Sequence, residues 1–114
     1  LGDLCTVKEG FVVGRFVDPR PTLAEGIAST RPIRARQVLD AIRHTEGAVA
    51  TVTEDEIADG VRALAREGIY VEPTSAVVVS AFDRLVEQGV IRDGDLTVSI
   101  LTGSGLKASG KVPA

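Results

Sequence analysis

The sequence contains no methionine and no tryptophan, and only one cysteine and one histidine, in 114 residues. The single cysteine, Cys5, excludes an internal disulfide framework and a multi-cysteine zinc site. The single histidine, His44, excludes a two-histidine metal site and leaves no spare imidazole for a proton relay. No metal site is therefore expected. Neither sign of charge dominates: 13 lysines and arginines face 16 acids, for a net charge of -3. A general phosphate-backbone binder needs a basic face, so nucleic acid is not an expected partner. No apolar run reaches the roughly 20 residues of a membrane span, and the first residues do not resemble a signal peptide. The expected partners exclude the membrane, and the expected compartment is the cytoplasm. The absence of methionine and the start at Leu1 read as a piece of something longer.

Apolar residues make up 44% of the chain, an ordinary globular share. A chain this long can remove roughly 65% of its extended surface from water, enough for one core. The stretch FVVGRFV, 11–17, reads as a strand with a bulge at Gly14. A small-residue loop, 22–30, follows, with Gly26 free to take positive φ. Pro32 suits the entrance of a helix carrying Val38, Leu39 and Ile42, stopped by Gly47. A strand is expected at 48–52. The phrase TEDE, 53–56, is a capping box that opens a second helix with Ile57, Val61, Leu64 and Ala65 as its stripe and Gly68 as its stop. A short strand at 69–71 leads to Glu72 and Pro73. A third helix is expected from 74 or 75 to 88, stopped by Gly89. The last strand is 95–101, and 103–114 reads as a flexible Gly/Ser-rich tail. Alternating helices and strands predict an α/β fold, a mainly parallel sheet flanked by helices, within one segment spanning 1–114.

In open α/β sheets ligands sit beyond the carboxyl ends of strands. Three small-residue loops fall there: 22–29, 72–75 and 102–105. Together they form the expected site, although any one of them alone reads better as a turn. Gly105 followed by Gly110 and Lys111 imitates a phosphate-binding loop. Val112 replaces the hydroxyl residue that would hold magnesium, so an NTPase is rejected. His44 reads as a surface residue at a helix end, and Cys5 as a small packing residue. Glu54, Asp55 and Glu56 read as a solvated helix start. Arg31, Arg34 and Arg36 read as a solvated helix entrance. Glu72 stands evenly between a cofactor-side acid and a plain helix-start carboxylate.

The phrases GIYVEPTSAVVVSAF, 68–82, and TVSILTGSGLK, 97–107, resemble the threonine synthase branch of the fold-type II pyridoxal-phosphate enzymes, the tryptophan synthase β superfamily. PTLAEGIA, RARQVLDAIR, AVATVTEDEI and the earlier KEG are similar in order to that family. The resemblance covers nearly the whole chain. It implies the carboxyl-terminal part of the large cofactor-binding domain, with pyridoxal phosphate as cofactor of the complete enzyme. It implies that Thr102 stands beside the cofactor's pyridine nitrogen and Glu72 is an active-site acid. It implies that Gly26 passes close to the ring and that Gly103, with Gly105, lets the backbone approach. A neutral hydroxyl beside the nitrogen leaves it unprotonated and the ring a weaker electron sink, which suits elimination and replacement.

Two departures from the family pattern are Ser104, where histidine is common, and Ala108, where aspartate is common. The third is larger. The Schiff-base lysine and the phosphate-binding glycine loop belong to the family's amino-terminal half. Lys8, Lys107 and Lys111 lie outside that lysine's context. No catalytic residue is therefore expected in this chain, and the chain alone is expected to be inactive. The implied partners are the amino-terminal part of the enzyme, a second copy in a homodimer, and a small amino-acid substrate. The implied reaction of the parent, a carbon–oxygen lyase, converts O-phosphohomoserine and water to threonine and phosphate. The alternatives are a threonine or serine dehydratase-type lyase, or a non-catalytic ligand-binding module derived from the same fold.

Overall fold

The structure is a computed structural model that describes residues 6–8, 11–13, 20–29, 32–108 and 110. It divides into two compact units, 1–20 with 28–49, and 21–27 with 50–114.

The first unit contains two short strands, β1 (Thr6–Lys8) and β2 (Phe11–Val13). They pair antiparallel, with Thr6 opposite Val13 and Lys8 opposite Phe11. β1 was not anticipated, and 14–17 of the expected strand lie outside the described residues. The same unit holds α1 (Ala35–His44), whose last turn carries Arg43 and His44 against the negative end of the helix dipole. The Nδ1 of His44 is 2.6 Å from the Asp40 carbonyl. α1 stops by hydrogen bonds from Thr45 to Ala41 and from Gly47 to Ile42. The left-handed residue of this stop is Glu46, at φ 51°, rather than Gly47.

The second unit is built from α2 (Glu54–Arg66), α3 (Pro73–Ser80) and α4 (Phe82–Glu87). The capping box forms as the sequence predicts. The Thr53 N–H donates to the Glu56 carboxylate at 2.5 Å, and the Glu56 N–H donates to the Thr53 hydroxyl at 3.3 Å. Gly68 and Gly89 end their helices at φ 78° and 69°, a conformation that favours glycine. Val61, Leu64, Val71 and Ala76 form the core cluster, with Val79 packed against it. Gly60 lets α2 approach α3 closely: a Cβ there would collide with the Ser80 hydroxyl and lie 3.3 Å from the Ala76 carbonyl.

The single long helix expected up to residue 88 is two helices meeting at Ala81. The Ser80 hydroxyl donates back to the Ala76 carbonyl at 3.0 Å and across to the Glu56 carbonyl at 2.8 Å. Such back-bonding perturbs the helix ladder. The helix start at 54–56 is more than a solvated acidic turn. Glu54 accepts the Leu23 N–H at 2.7 Å, and Glu56 pairs with Arg84 of α4 at 2.6 Å.

The expected parallel sheet is not formed among the described residues. Residues 48–52 and 95–101 make no ladder, and Val71 makes only an isolated antiparallel bridge with Ser104. A strand exists only where a neighbour satisfies its backbone groups, and no described segment pairs with 95–101. Its alternate residues Leu96, Val98 and Ile100 stand 94%, 78% and 73% exposed. Part of the stretch read as a tail has local structure. Gly105–Ala108 form a 3-10 turn, and Gly105 is buried with its N–H bonded to the Tyr70 carbonyl at 3.1 Å. Residues 109 and 111–114 of that tail lie outside the described residues. No helix among the described residues is long and apolar enough to cross a membrane.

Two expected outcomes follow from the helix packing. Gly60→Ala should destabilise the fold in urea melts, because overpacking of about 1–3 kcal/mol outweighs a helix-propensity gain of about 1 kcal/mol. In a Ser80→Ala background the same substitution should become close to neutral. The second concerns Glu56, whose carboxyl is pulled from 4.5 to about 2, first by the Thr53 N–H, then by the Thr53 hydroxyl and Arg84. A depressed folded-state value stabilises above the unfolded-state value and loses that stabilisation as pH falls towards 2. Thermal melts should therefore fall between pH 4.5 and 2. Glu56→Gln should flatten this dependence.

Candidate functional site

The first turn of α3 gathers the site. Pro73 stands at its first helical position, where no N–H is needed and φ is already set. The Thr74 hydroxyl accepts the Gly26 N–H at 3.1 Å. This ties the 3-10 turn Glu25–Ile27 to α3. Gly26 is needed here for its missing side chain, since a Cβ would lie 2.9 Å from the Thr74 hydroxyl oxygen. It does not adopt the positive φ that the sequence allowed. Ala24, 1% exposed, anchors the same loop.

The segment after 101 reaches the same turn by another route. The Glu72 N–H donates to the Gly103 carbonyl at 3.1 Å, beside the bridge between Val71 and Ser104. Ser75, 2% exposed, lies beneath it. Its Oγ accepts the Gly103 N–H at 2.8 Å and the Thr102 N–H at 3.1 Å, and lies 3.2 Å from the Thr102 hydroxyl. The Glu72 carboxylate rests over Gly103 in the space a Cβ would fill. Gly105 likewise faces the Tyr70 ring, 2.5 Å from where its Cβ would be.

The three small-residue loops read from the sequence therefore meet at one helix start. Glu72 and Gly26 line one small cavity of about 160 Å³, shared with Glu25, Thr74 and Lys107. Gly103 adjoins Glu72 directly. Thr102 does not line that cavity; it is exposed and joins the cluster through Ser75. The two departures also fall here. Ala108 lines the cavity, and the Ser104 hydroxyl accepts the Leu106 N–H at 3.3 Å. Sequence reasoning placed Thr74 and Ser75 in the 72–75 loop without giving either a role, and it left Lys107 out of the site. The first two stand in EPTSA, where hydroxyls two and three residues after the N-cap were readable as staples. Lys107 carried no such signal. No cluster of three or more His, Cys, Asp or Glu among the described residues is placed to hold a metal ion.

A family model described as pyridoxal-phosphate dependent enzyme matches residues 6–103. The chain belongs to that family. Proteins similar to the chain include the threonine synthase of Methanocaldococcus jannaschii, 41% identical over 87 residues. The threonine synthase of Methanosarcina acetivorans is 42% identical over 87 residues. Each alignment takes in 75% of this chain and 22% of the relative. The threonine synthase of Mycobacterium tuberculosis is 29% identical over 108 residues, 94% of the chain and 30% of the relative. The chain thus spans about a quarter of the length of these relatives.

The two crowded glycines should respond differently to a methyl group. At Gly103 the obstacle is the free end of the Glu72 side chain, which can swing aside. Gly103→Ala should cost less than about 1 kcal/mol while shifting the Glu72 carboxyl-carbon NMR signal. At Gly26 the obstacle is Thr74, held by its hydrogen bond. Gly26→Ala should cost about 1–3 kcal/mol in denaturant melts.

Proposed function

We propose that the chain forms the carboxyl-terminal side of the cofactor site of a threonine synthase-like enzyme, whose complete form turns O-phosphohomoserine and water into threonine and phosphate. The observation that carries this reading is the gathering of Thr102, Gly103, Glu72 and Gly26 by one helix turn. In this reading the partners are the lysine-bearing remainder of the enzyme, a second copy in a homodimer, and an amino-acid substrate.

The residues present fit one end of the cofactor, its pyridine ring. Gly103 has no side chain, and its backbone is held by Ser75 and Glu72. The Glu72 side chain lies over that backbone and would have to swing aside for a flat ring to approach it closely. Thr102 offers a hydroxyl at the exposed edge of that backbone. A hydroxyl can donate to a neutral ring nitrogen without protonating it. When bound, the cofactor supplies electron withdrawal from the substrate α-carbon. Glu72 places a carboxylate beside the same backbone, where it can hold a donor group of the ligand. Gly26, fixed to Thr74, supplies a second close-approaching backbone segment. Nothing in this set supplies an imine-forming amine in the family's context, so the chain's own residues bind and orient.

Thr102 gives the test. In the complete enzyme Thr102→Val removes the hydroxyl donor, and loss of one such hydrogen bond costs about 1–3 kcal/mol. Cofactor retention should fall about tenfold or more, with the fold kept. Thr102→Asp should protonate the ring and shift its absorption. If both variants keep the parent's spectrum and rate, Thr102 is only a turn residue. Phosphate release from O-phosphohomoserine supports the synthase. Ammonia release from threonine or serine points instead to a dehydratase-type lyase, and neither product to a non-catalytic module.

A further inference from the structure

Glu72 serves two places at once. Its carboxylate rests over Gly103, in the space a Cβ would fill. The same residue lines the cavity of about 160 Å³ that it shares with Glu25, Thr74 and Lys107. Among the described residues the Glu72 carboxylate makes no ion pair, and neither does the exposed Lys107. A carboxylate and an ammonium group thus belong to one small cavity without being paired.

Anything that packs on the covered face of Gly103 must move either the backbone or the cover. The backbone is held. The Gly103 N–H donates to Ser75 Oγ at 2.8 Å, and the Gly103 carbonyl accepts the Glu72 N–H at 3.1 Å. The Glu72 side chain turns about its own single bonds, so it yields first. The cavity is where it finds opposite charge. Glu25 lines that cavity too and carries the same charge as Glu72, which leaves Lys107 as the attractive group there. We propose that Glu72 has two positions, over Gly103 as seen here and within the cavity beside Lys107, and that a flat aromatic ring packing on Gly103 selects the second. Lys107 is then a positioning residue: it holds the displaced carboxylate and keeps the Gly103 face open. This rests on the reading that the cofactor ring meets Gly103. It goes further by giving Glu72 a second partner and Lys107 a role. A partly exposed ion pair is weak, so the pairing tilts the balance by a few-fold and does not lock it.

The test first displaces Glu72 without any ring. In the complete apoenzyme, labelled with carboxyl-¹³C glutamate, the Glu72 signal is identified by its loss in Glu72→Gln. Gly103→Ala puts a methyl group where the carboxylate lies and should shift that signal. Lys107→Gln should leave the signal nearly unmoved in the parent and move it clearly in the Gly103→Ala variant, while Lys107→Arg should move it little in either. A signal that Gly103→Ala does not shift, or that is indifferent to Lys107→Gln in both backgrounds, overturns the proposal. The second arm needs no alanine variant and decides the matter if that one does not fold. Pyridoxal phosphate is titrated into the complete apoenzyme. Lys107→Gln should weaken binding about two- to fivefold, and Lys107→Arg should restore it. In a Glu72→Gln background Lys107→Gln should change nothing further. Equal weakening with and without the Glu72 carboxylate overturns the proposal, because Lys107 then acts on the ligand itself. A Glu72 signal that behaves as expected, beside a ring affinity that neither Glu72→Gln nor Lys107→Gln alters, instead overturns the placing of the ring on Gly103.

Discussion

The site depends on the first turn of α3, where Glu72, Thr74 and Ser75 each hold a different backbone group of a distant segment. A helix start has N–H groups with no partner within the helix, and it normally draws capping groups from nearby. Here the traffic runs mostly the other way. Glu72 donates its N–H to Gly103, Thr74 accepts from Gly26, and Ser75 accepts from Thr102 and Gly103. Pro73 contributes by removing an N–H that would otherwise compete. One turn of helix thus sets the position of two loops that lie 48 and about 28 residues away.

A turn with that task must itself be fixed, and the other end of α3 supplies the restraint. Gly60 allows α2 to lie against α3, and Ser80 bridges the two through the Glu56 carbonyl. Glu56 closes the α2 capping box and pairs with Arg84, whose guanidinium also donates to the Thr51 carbonyl at 2.6 Å. Cap, ion pair and close packing converge on Glu56, so the start of α2 cannot move without the end of α3. Sites on rigid elements hold geometry better than sites on free loops. In this chain the loops borrow rigidity from a clamped helix.

Much of this was legible in the sequence where the signal is local. TEDE names a capping box because both of its bonds lie within four residues. Gly68 and Gly89 name helix ends because each supplies a left-handed residue just past a helix. The three loops were legible as small-residue stretches at expected strand ends. What escaped depends on distant partners. The break at Ala81 follows from Ser80 reaching Glu56 across a helix pair. Gly26 looked like a positive-φ glycine, and its real constraint is Thr74, 48 residues on. Ser75 stood inside the expected 72–75 loop, but its bonds to Thr102 and Gly103 join residues 27 and 28 positions apart and left no local signal. The strand pattern of 95–101 is sound as a pattern, but alternation specifies a face and does not supply a hydrogen-bonding neighbour.

That last point bears on how the site is held. Thr102 directly follows a segment whose apolar positions, Leu96, Val98 and Ile100, face solvent without a ladder. Had its placement depended on a sheet, Thr102 would have no fixed position among the described residues. Instead its N–H, its hydroxyl and the N–H of Gly103 all meet one buried oxygen, Ser75 Oγ. The rule that ligands bind at the carboxyl ends of strands leaves open what fixes the loop there. In this chain the fixing element is Ser75, in the first turn of α3.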